Sequence, residues 1–237
     1  MDQLSDEDSG RSQPWRWIPQ LLPPNIYLIV STATDEYGIL RELLEIHPRS
    51  VEVPLVKFAE SSKILDNWMK QSHRTLTQEQ WQVVTRCLQT LADGISILHL
   101  RLICDRVAQW PSTYVPSQLP ITVQGMINRA YEELESMHGQ KLVAGFLSLL
   151  CASKDGLSSE NIGDILSADE DALGGKGRAG TILERHDPPV RRVPPFLVAR
   201  LKYDLQENLV ERAANGMKAL GLYHRQFIEA AQKRYLE

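Results

Sequence analysis

The sequence predicts an α/β segment at the start of the chain, then a mostly α-helical region that ends in a β-hairpin and a final helix. Three observations predict this order. A continuous β-branched and aromatic run lies at residues 26–30, and apolar residues recur at helical spacing between residues 59 and 152. Near the end, Asn215-Gly216 separates two apolar-rich runs. Asn-Gly is the strongest short-range hairpin signal, because both residues tolerate the positive φ of a type I′ turn.

The composition is that of an ordinary soluble globular protein, with 237 residues of which 43% are hydrophobic and 24% are charged. A net charge of -4 argues mildly against a dedicated nucleic-acid binder. The three cysteines are widely spaced in apolar helical patterns, which predicts reduced core thiols. The acidic, polar first residues do not resemble a signal peptide, and no apolar run approaches the roughly 20 residues of a membrane helix. A cytoplasmic location is therefore expected.

The α/β segment consists of two candidate strands with a helix between them. Residues 26–30 are apolar on both faces, which favours a strand inside a parallel sheet. Val51 and Val53 alternate with a glutamate and indicate a second strand at residues 50–54. Residues 37–46 have helical spacing. This piece needs further strands to complete a sheet.

A wholly helical pattern follows over residues 59–110. Thr77 is a plausible N-cap for one of its helices, and residues 97–110 form another. A Pro- and Ser-rich connector at residues 111–120 is the best candidate domain boundary, and a further helix is predicted at residues 123–137.

The last part of the chain has the layout of a winged helix. Three helices precede the hairpin, and they are predicted at residues 141–152, 159–166 and 196–205. One more amphipathic helix follows the hairpin. His224 lies where the second strand passes into that helix. It is either a core or hinge histidine or a polar contact reaching out of the module, and spacing alone does not decide between them.

Positive charge around the third of these helices raises the alternative of a winged-helix nucleic-acid-binding module, since that element enters the major groove in DNA-binding relatives. The basic residues are Arg191, Arg192, Arg200 and Lys202. Acidic residues lie close by, namely Asp204, Glu207 and Glu211. The balance favours a solvated, mixed-charge face.

The Gly-rich segment at residues 174–181 superficially resembles a phosphate loop. A Walker A motif needs Ser or Thr directly after its lysine, whereas Lys176 is followed by Gly177. We interpret the segment as a loop. Neither metal-ligand spacing nor a nucleophile–base constellation is visible, so the chain is predicted to hold no metal and to be no enzyme by itself.

Residues 222–229 (LYHRQFIE) resemble the winged-helix end of NACHT modules, which belong to the STAND class of signalling NTPases. The shared pattern is an aromatic residue, His, Phe and Glu, here Tyr223, His224, Phe227 and Glu229. Other stretches resemble the branch of this family that joins NACHT to WD repeats, together with the telomerase-associated proteins. They are residues 17–31, 119–125, 134–139, 156–158, 188–201 and 209–212.

The resemblance implies a domain organisation. Residues 1–56 would be the C-terminal part of a nucleotide-binding sheet domain, at the edge of a parallel P-loop-type sheet. Residues 57–118 would be a helical lid, and residues 119–237 a winged-helix domain.

The resemblance also implies nucleotide-sensing residues. His224 matches the histidine that would face the β-phosphate of bound ADP. Ser31 and Thr32 follow the strand that would carry the first sensor, and Asp2 looks like the last acidic residue of the metal-binding motif. ATP or ADP with Mg²⁺ is expected only where the P-loop part of the module is also present.

Several departures from the family pattern limit what this chain does alone. The P-loop and the strand with the metal-binding acid are missing, and Ser31-Thr32-Ala33 stand where relatives often carry an arginine. Ile97 lies where a lid proline is expected. Without these groups nothing holds a γ-phosphate, so the chain alone should not hydrolyse ATP. The sequence thus predicts a regulatory portion of a larger NACHT and WD-repeat switch, shortened at a gene-model or isoform boundary. Protein partners or self-association are expected, with no nucleic acid and no membrane.

Overall fold

The computed structural model describes residues 21–32, 39–46, 49–91, 93–168, 192–214 and 216–237. The chain divides into two compact units, Met1–Pro54 and Leu55–Glu237. The described residues form mostly helices and one small antiparallel sheet. The helices are α1 (Ile39–Ile46), α2 (Phe58–Gln71), α3 (Gln78–Thr90), α4 (Ile97–Ala108), α5 (Val123–His138), α6 (Gln140–Ala152), α7 (Ser159–Ala168), α8 (Pro195–Asp204) and α9 (Arg225–Tyr235). The strands are β1 (Leu209–Ala214) and β2 (Met217–Leu222), preceded by a 3₁₀ turn, Gln206–Asn208.

In the first unit the predicted helix is confirmed as α1, but the two predicted strands are wrong. Residues 26–30 and 50–54 form no strand. Their side chains lie in solvent, with Tyr27 90% and Ile29 95% exposed. A strand needs a hydrogen-bonded neighbour, and the described residues of this unit contain no paired strand. A suitable apolar run therefore forms no sheet here.

Local capping explains where the helices of the second unit begin. The Thr77 hydroxyl accepts a hydrogen bond from the Gln80 backbone N–H at 3.3 Å, and the Gln80 amide oxygen accepts one from the Thr77 N–H at 3.1 Å. This capping box confirms the predicted N-cap of α3. Ser96 and Thr122 cap α4 and α5 through their own hydroxyls. Each such cap stabilises its helix by about 1 kcal/mol.

Helices α2 to α4 surround one hydrophobic core, here called the lid core. Its most deeply buried side chains come from all three helices and lie on the inner stripe of each. They are Leu65, Met69, Val84, Leu88, Leu100, Ile103 and Val107. The amphipathic stripes predicted for this region thus point inward.

A second core, here called the C-terminal core, is formed by α5 to α9 and the hairpin. Helix α6 supplies the largest continuous share, because its inner face is wholly apolar. The α6 residues are Leu142, Val143, Phe146, Leu147 and Leu150. Gly139, with φ of 87°, lies between α5 and α6 and confirms the predicted helix end. The predicted helices that became α6, α7 and α8 are confirmed within two residues at each end.

The hairpin is confirmed, with β1 and β2 paired antiparallel from Leu209 opposite Leu222 to Ala214 opposite Met217. Gly216 has φ of 78°, while Asn215 lies outside the described residues. A third segment joins the hairpin: Leu157 donates its N–H to the Leu220 carbonyl at 3.2 Å, and Leu220 donates to the Leu157 carbonyl at 2.9 Å.

The cysteines are free thiols, with Cys87 and Cys104 buried and Cys151 half-buried. Burial raises the pKa of each thiol to about 11. Thiolate is the reactive form, so these residues are inert packing groups near neutral pH. The predicted reduced state is confirmed.

Candidate functional site around His224

His224 caps the closing helix. Its backbone is extended, and its Nδ1 atom accepts a hydrogen bond from the Gln226 N–H at 3.2 Å. The side chain is half-buried. Nδ1 is therefore an acceptor, which leaves the N–H on Nε2, and no hydrogen bond to Nε2 occurs within the described part of the chain. The imidazole can thus hold the helix and still offer one donor.

The helix that His224 caps is fixed to α5 by a buried contact. Tyr131 is fully buried, and its hydroxyl donates to the Phe227 carbonyl at 2.9 Å. The rings of Tyr131 and Phe227 meet edge to face with centroids 6.4 Å apart. Burial raises the pKa of the Tyr131 phenol, so the hydroxyl stays protonated as a donor. The start of α9 is positioned through this contact.

An ionic clamp holds the far end of the same helix. Arg234 donates two hydrogen bonds to the Glu135 carboxylate, at 2.9 and 2.8 Å, and the Tyr235 hydroxyl donates a third at 2.6 Å. The Arg234 hydrogen bonds hold the pKa of Glu135 below its usual value. Bidentate arginine–carboxylate geometry is the strong form of such pairs. His224 is thus carried by a helix fixed at both ends.

Ion pairs with carboxylates neutralise much of the positive charge around α8. Lys202 contacts Glu211 at 2.6 Å, Lys218 contacts the same carboxylate at 3.7 Å, and Arg192 pairs with Asp164. Arg200 remains exposed, and Arg191 lies outside the described residues. Phosphate binding needs cations that are free to replace counterions, so this pairing supports the predicted mixed-charge face.

The other predicted site residues are placed only in part. Ser31 is exposed and Thr32 half-buried, both in the first unit, whereas His224 belongs to the second. Asp2 and the Gly-rich segment at residues 174–181 lie outside the described residues. Their predicted roles remain predictions.

Two other kinds of site are absent from the described residues. No group of three or more His, Cys, Asp or Glu side chains in this part of the chain is arranged to hold a metal ion. Among the same residues, none of the helices is both long and apolar enough to cross a bilayer.

The capping role of His224 leads to a prediction. Changing His224 to Ala removes the acceptor for the Gln226 N–H and should lower the free energy of unfolding by about 1 kcal/mol. Changing it to Asn, a preferred N-cap, should retain most of that stability. Urea unfolding followed by circular dichroism measures the difference. Tyr223 to Ala, at the exposed neighbouring position, is the control, and equal stability of the Ala and Asn variants would contradict the capping role.

Sequence reasoning did not find this cap or the Glu135 clamp. Histidine is not among the favoured N-cap residues, so its role is visible only from the backbone geometry. Glu135 and Arg234 are 99 residues apart, and no local pattern links them. The one available signal was the position of His224 between an apolar strand and an amphipathic helix.

The relatives of this chain point to one family. The chain is 30% identical over its whole length to the NACHT domain- and WD repeat-containing protein 1 of Homo sapiens, and to that of Mus musculus, covering 15% of each. It is 29% identical to the NACHT and WD repeat domain-containing protein 2 of Homo sapiens, of which it covers 13%. No protein-family profile and no solved structure matches it. The chain is therefore similar along its whole length to one short segment of the NACHT and WD repeat-containing proteins and spans only 13% to 15% of these relatives.

Proposed function

We propose that this chain is the C-terminal portion of a STAND-class NACHT module and acts as a regulatory and interaction segment of a larger nucleotide-dependent switch. The observation that carries this proposal is the similarity to NACHT proteins along the whole chain. In such a switch, a ligand that contacts one conformation better than the other shifts their populations.

The order of elements supports a winged helix as the last part of this segment. Helix α6, the bridge at Leu157, α7, α8, the hairpin and α9 follow one another in the order expected of that fold. The Leu157 bridge adds a third short strand to the hairpin. All of these elements share the C-terminal core.

The proposed ligand is ADP or ATP with Mg²⁺, bound only when the P-loop part of the module is present. The surroundings of His224 fit one phosphate group: its Nε2–H is available, and the N-terminus of α9 adds a positive partial charge. When bound, ADP or ATP would supply the phosphate anion whose contacts differ between the two conformations of the switch. His224 would then donate a hydrogen bond to a β-phosphate oxygen. Ser31, Thr32 and Asp2 are proposed as further nucleotide-sensing residues, on the family resemblance alone.

The chain by itself is proposed to be no ATPase, since its sequence contains no Walker A motif. We propose protein partners or self-association within a longer NACHT and WD-repeat protein, in the cytoplasm. The ion pairs around α8 disfavour the winged-helix nucleic-acid-binding alternative.

A domain exchange tests the nucleotide role. This chain would replace the matching segment of the human protein 1, and binding of a fluorescent ADP analogue would be titrated in the presence of Mg²⁺. The change of His224 to Asn keeps the helix cap and removes the imidazole. We expect the analogue to bind about tenfold more weakly to this variant, the loss of one hydrogen bond to a charged group.

The chain alone should neither bind the analogue saturably nor release phosphate from ATP. If the change of His224 to Asn left the affinity of the exchanged protein for the ADP analogue unchanged, His224 would not be part of the nucleotide site. ATP hydrolysis by the chain alone would contradict the proposal that this chain is no ATPase without the P-loop part of the module. A salt-dependent shift of duplex DNA, lost when Arg200 and Lys202 are changed to Ala, would favour nucleic-acid binding.

A further inference from the structure

The solvent-facing side of α8 carries aromatic side chains where a surface helix ordinarily carries polar ones. Phe196 is 58% exposed and Tyr203 is 68% exposed. Arg200 lies between them at helical spacing, so the three side chains form one stripe, here called the outer stripe of α8. Val198 and Leu201, on the opposite side, are buried in the C-terminal core. Helix α8 is thus apolar on both sides, which is typical of a helix that is covered all round.

Helix α9 shows how the outer face of a helix in the same core is normally built. Its inner side chains are buried in the C-terminal core. On its outer face Arg225 pairs with Glu229 at 2.6 Å, and Gln232 and Lys233 are exposed. That face is charged and polar, as expected for contact with water. The aromatic outer stripe is therefore particular to α8.

Arg200 gives the outer stripe one uncompensated positive charge. It is exposed, and within the described part of the chain it forms no ion pair. The neighbouring cations differ, because Arg192 is paired with Asp164 and Lys202 with Glu211. An arginine between two exposed aromatic rings has the composition of a binding hot spot, since arginine and aromatic residues contribute most to the free energy of protein interfaces.

This charge distribution distinguishes between possible occupants. A second copy of the chain that packed α8 against α8 about a two-fold axis at the centre of the stripe would bring Arg200 against the same residue of the other copy. Such like-charge contacts are unfavourable. Nucleic acid requires several cations that are free to replace counterions, whereas the stripe offers one. A protein segment with one carboxylate between apolar side chains matches both the charge and the rings.

We propose that the outer stripe of α8 docks an acidic amphipathic helix of a partner protein, in which one Asp or Glu lies between two apolar residues. The Arg200 guanidinium holds the carboxylate, for which its planar fork of N–H donors is suited. Phe196 and Tyr203 cover the apolar side chains on either side of that carboxylate. This inference specifies the chemistry of a partner for the interaction segment proposed above. It concerns α8 and does not depend on His224 or on a nucleotide.

Helical peptides test the docking, with the full chain as the target and no nucleotide present. A display library fixes Leu at two positions seven residues apart and Glu four residues after the first Leu, and varies the other positions. Its tightest binder is the probe, and a twin peptide carries Lys in place of that Glu. We expect the Glu peptide to bind at least about tenfold more tightly than its Lys twin. Unspecific attraction to a chain with a net charge of -4 would favour the Lys twin instead.

Exchange of charge on the chain locates the binding. Arg200→Glu should reverse the preference, so that the Lys twin binds more tightly than the Glu peptide. Phe196→Ser should weaken the Glu peptide by about tenfold, because one ring of the stripe is lost. Lys233→Glu makes the same charge reversal on the polar outer face of α9 and is the matched control, which should leave both affinities unchanged. All three positions are exposed, and circular dichroism checks that each variant is folded.

Several results would overturn the proposal. These are a library without a binder, an unchanged preference for Glu in the Arg200→Glu variant, or full affinity in the Phe196→Ser variant. A concentration-dependent dimer that Phe196→Ser abolishes would assign the stripe to a second copy of the chain. A salt-dependent shift of duplex DNA that Arg200→Ala abolishes would assign it to nucleic acid. None of these results depends on whether His224 contacts ADP.

Discussion

Changing Gly156 to Ala is expected to destabilise the second unit by about 3 kcal/mol or more, for two reasons that act together. Gly156 has φ of 84°, a conformation that is strained for any residue with a Cβ atom. An added Cβ would also lie 2.5 Å from the Leu220 carbonyl oxygen. That oxygen belongs to the hairpin and accepts the Leu157 N–H, so it cannot move without breaking the bridge.

Gly216 to Ala separates the two causes. Gly216 has a similar φ of 78°, but nothing lies within 4 Å of an added Cβ. This control should cost only about 1 kcal/mol, the strain of positive φ alone. Urea unfolding of both variants gives the comparison. If both variants lost the same free energy of unfolding, the close approach of residue 156 to the hairpin would add nothing to the cost of the strained φ.

The second large effect is expected at Tyr131. Changing Tyr131 to Ala removes a fully buried ring between Phe227 and Tyr235 and should lower the free energy of unfolding by about 3–5 kcal/mol. Tyr131 to Phe keeps the ring and removes only the hydrogen bond to the Phe227 carbonyl, at a cost of about 1 kcal/mol. Hydrogen exchange should show that α9 loses protection first in the Ala variant, because this contact holds its N-terminal turn.

Hydrogen exchange also distinguishes a local role of Tyr131 at α9 from a general role in filling the core. If Tyr131 acts only by filling the core, α6 and α9 should lose protection equally. If the Phe variant proves as unstable as the Ala variant, the hydrogen bond and not the ring carries the contact. Either result would contradict the expected division between packing and hydrogen bonding.

Local signals in the sequence predicted most helices of the second unit. The stripe of apolar residues in α6 is long and regular, and Thr77 with Gln80 forms a capping pair three residues apart, so neighbouring residues decide the outcome. The hairpin was found because Asn-Gly turns require no distant partner. These features depend on interactions within a few residues, which a single sequence displays directly.

Features that need a distant partner were missed or wrongly predicted. Residues 26–30 have strand composition, yet a strand forms only against a neighbour. The bridge at Leu157 is too short to leave an alternating pattern. The second use of Gln80, as a donor to the connector, depends on a segment more than 30 residues away. His224 was identified by its position, but its capping role required the backbone conformation.

The long span of the Tyr131 contact has a consequence for biosynthesis. The hydroxyl and the Phe227 carbonyl are 96 residues apart, and Arg234 reaches Glu135 across 99. During translation α5 and α6 therefore emerge long before the helix that covers them, with the apolar face of α6 exposed to solvent. This half of the chain should complete its fold only after α9 has left the ribosome, and chaperones have access to it until then. Ribosome-bound chains stalled before α9 should accordingly be far more sensitive to protease than chains in which α9 has emerged.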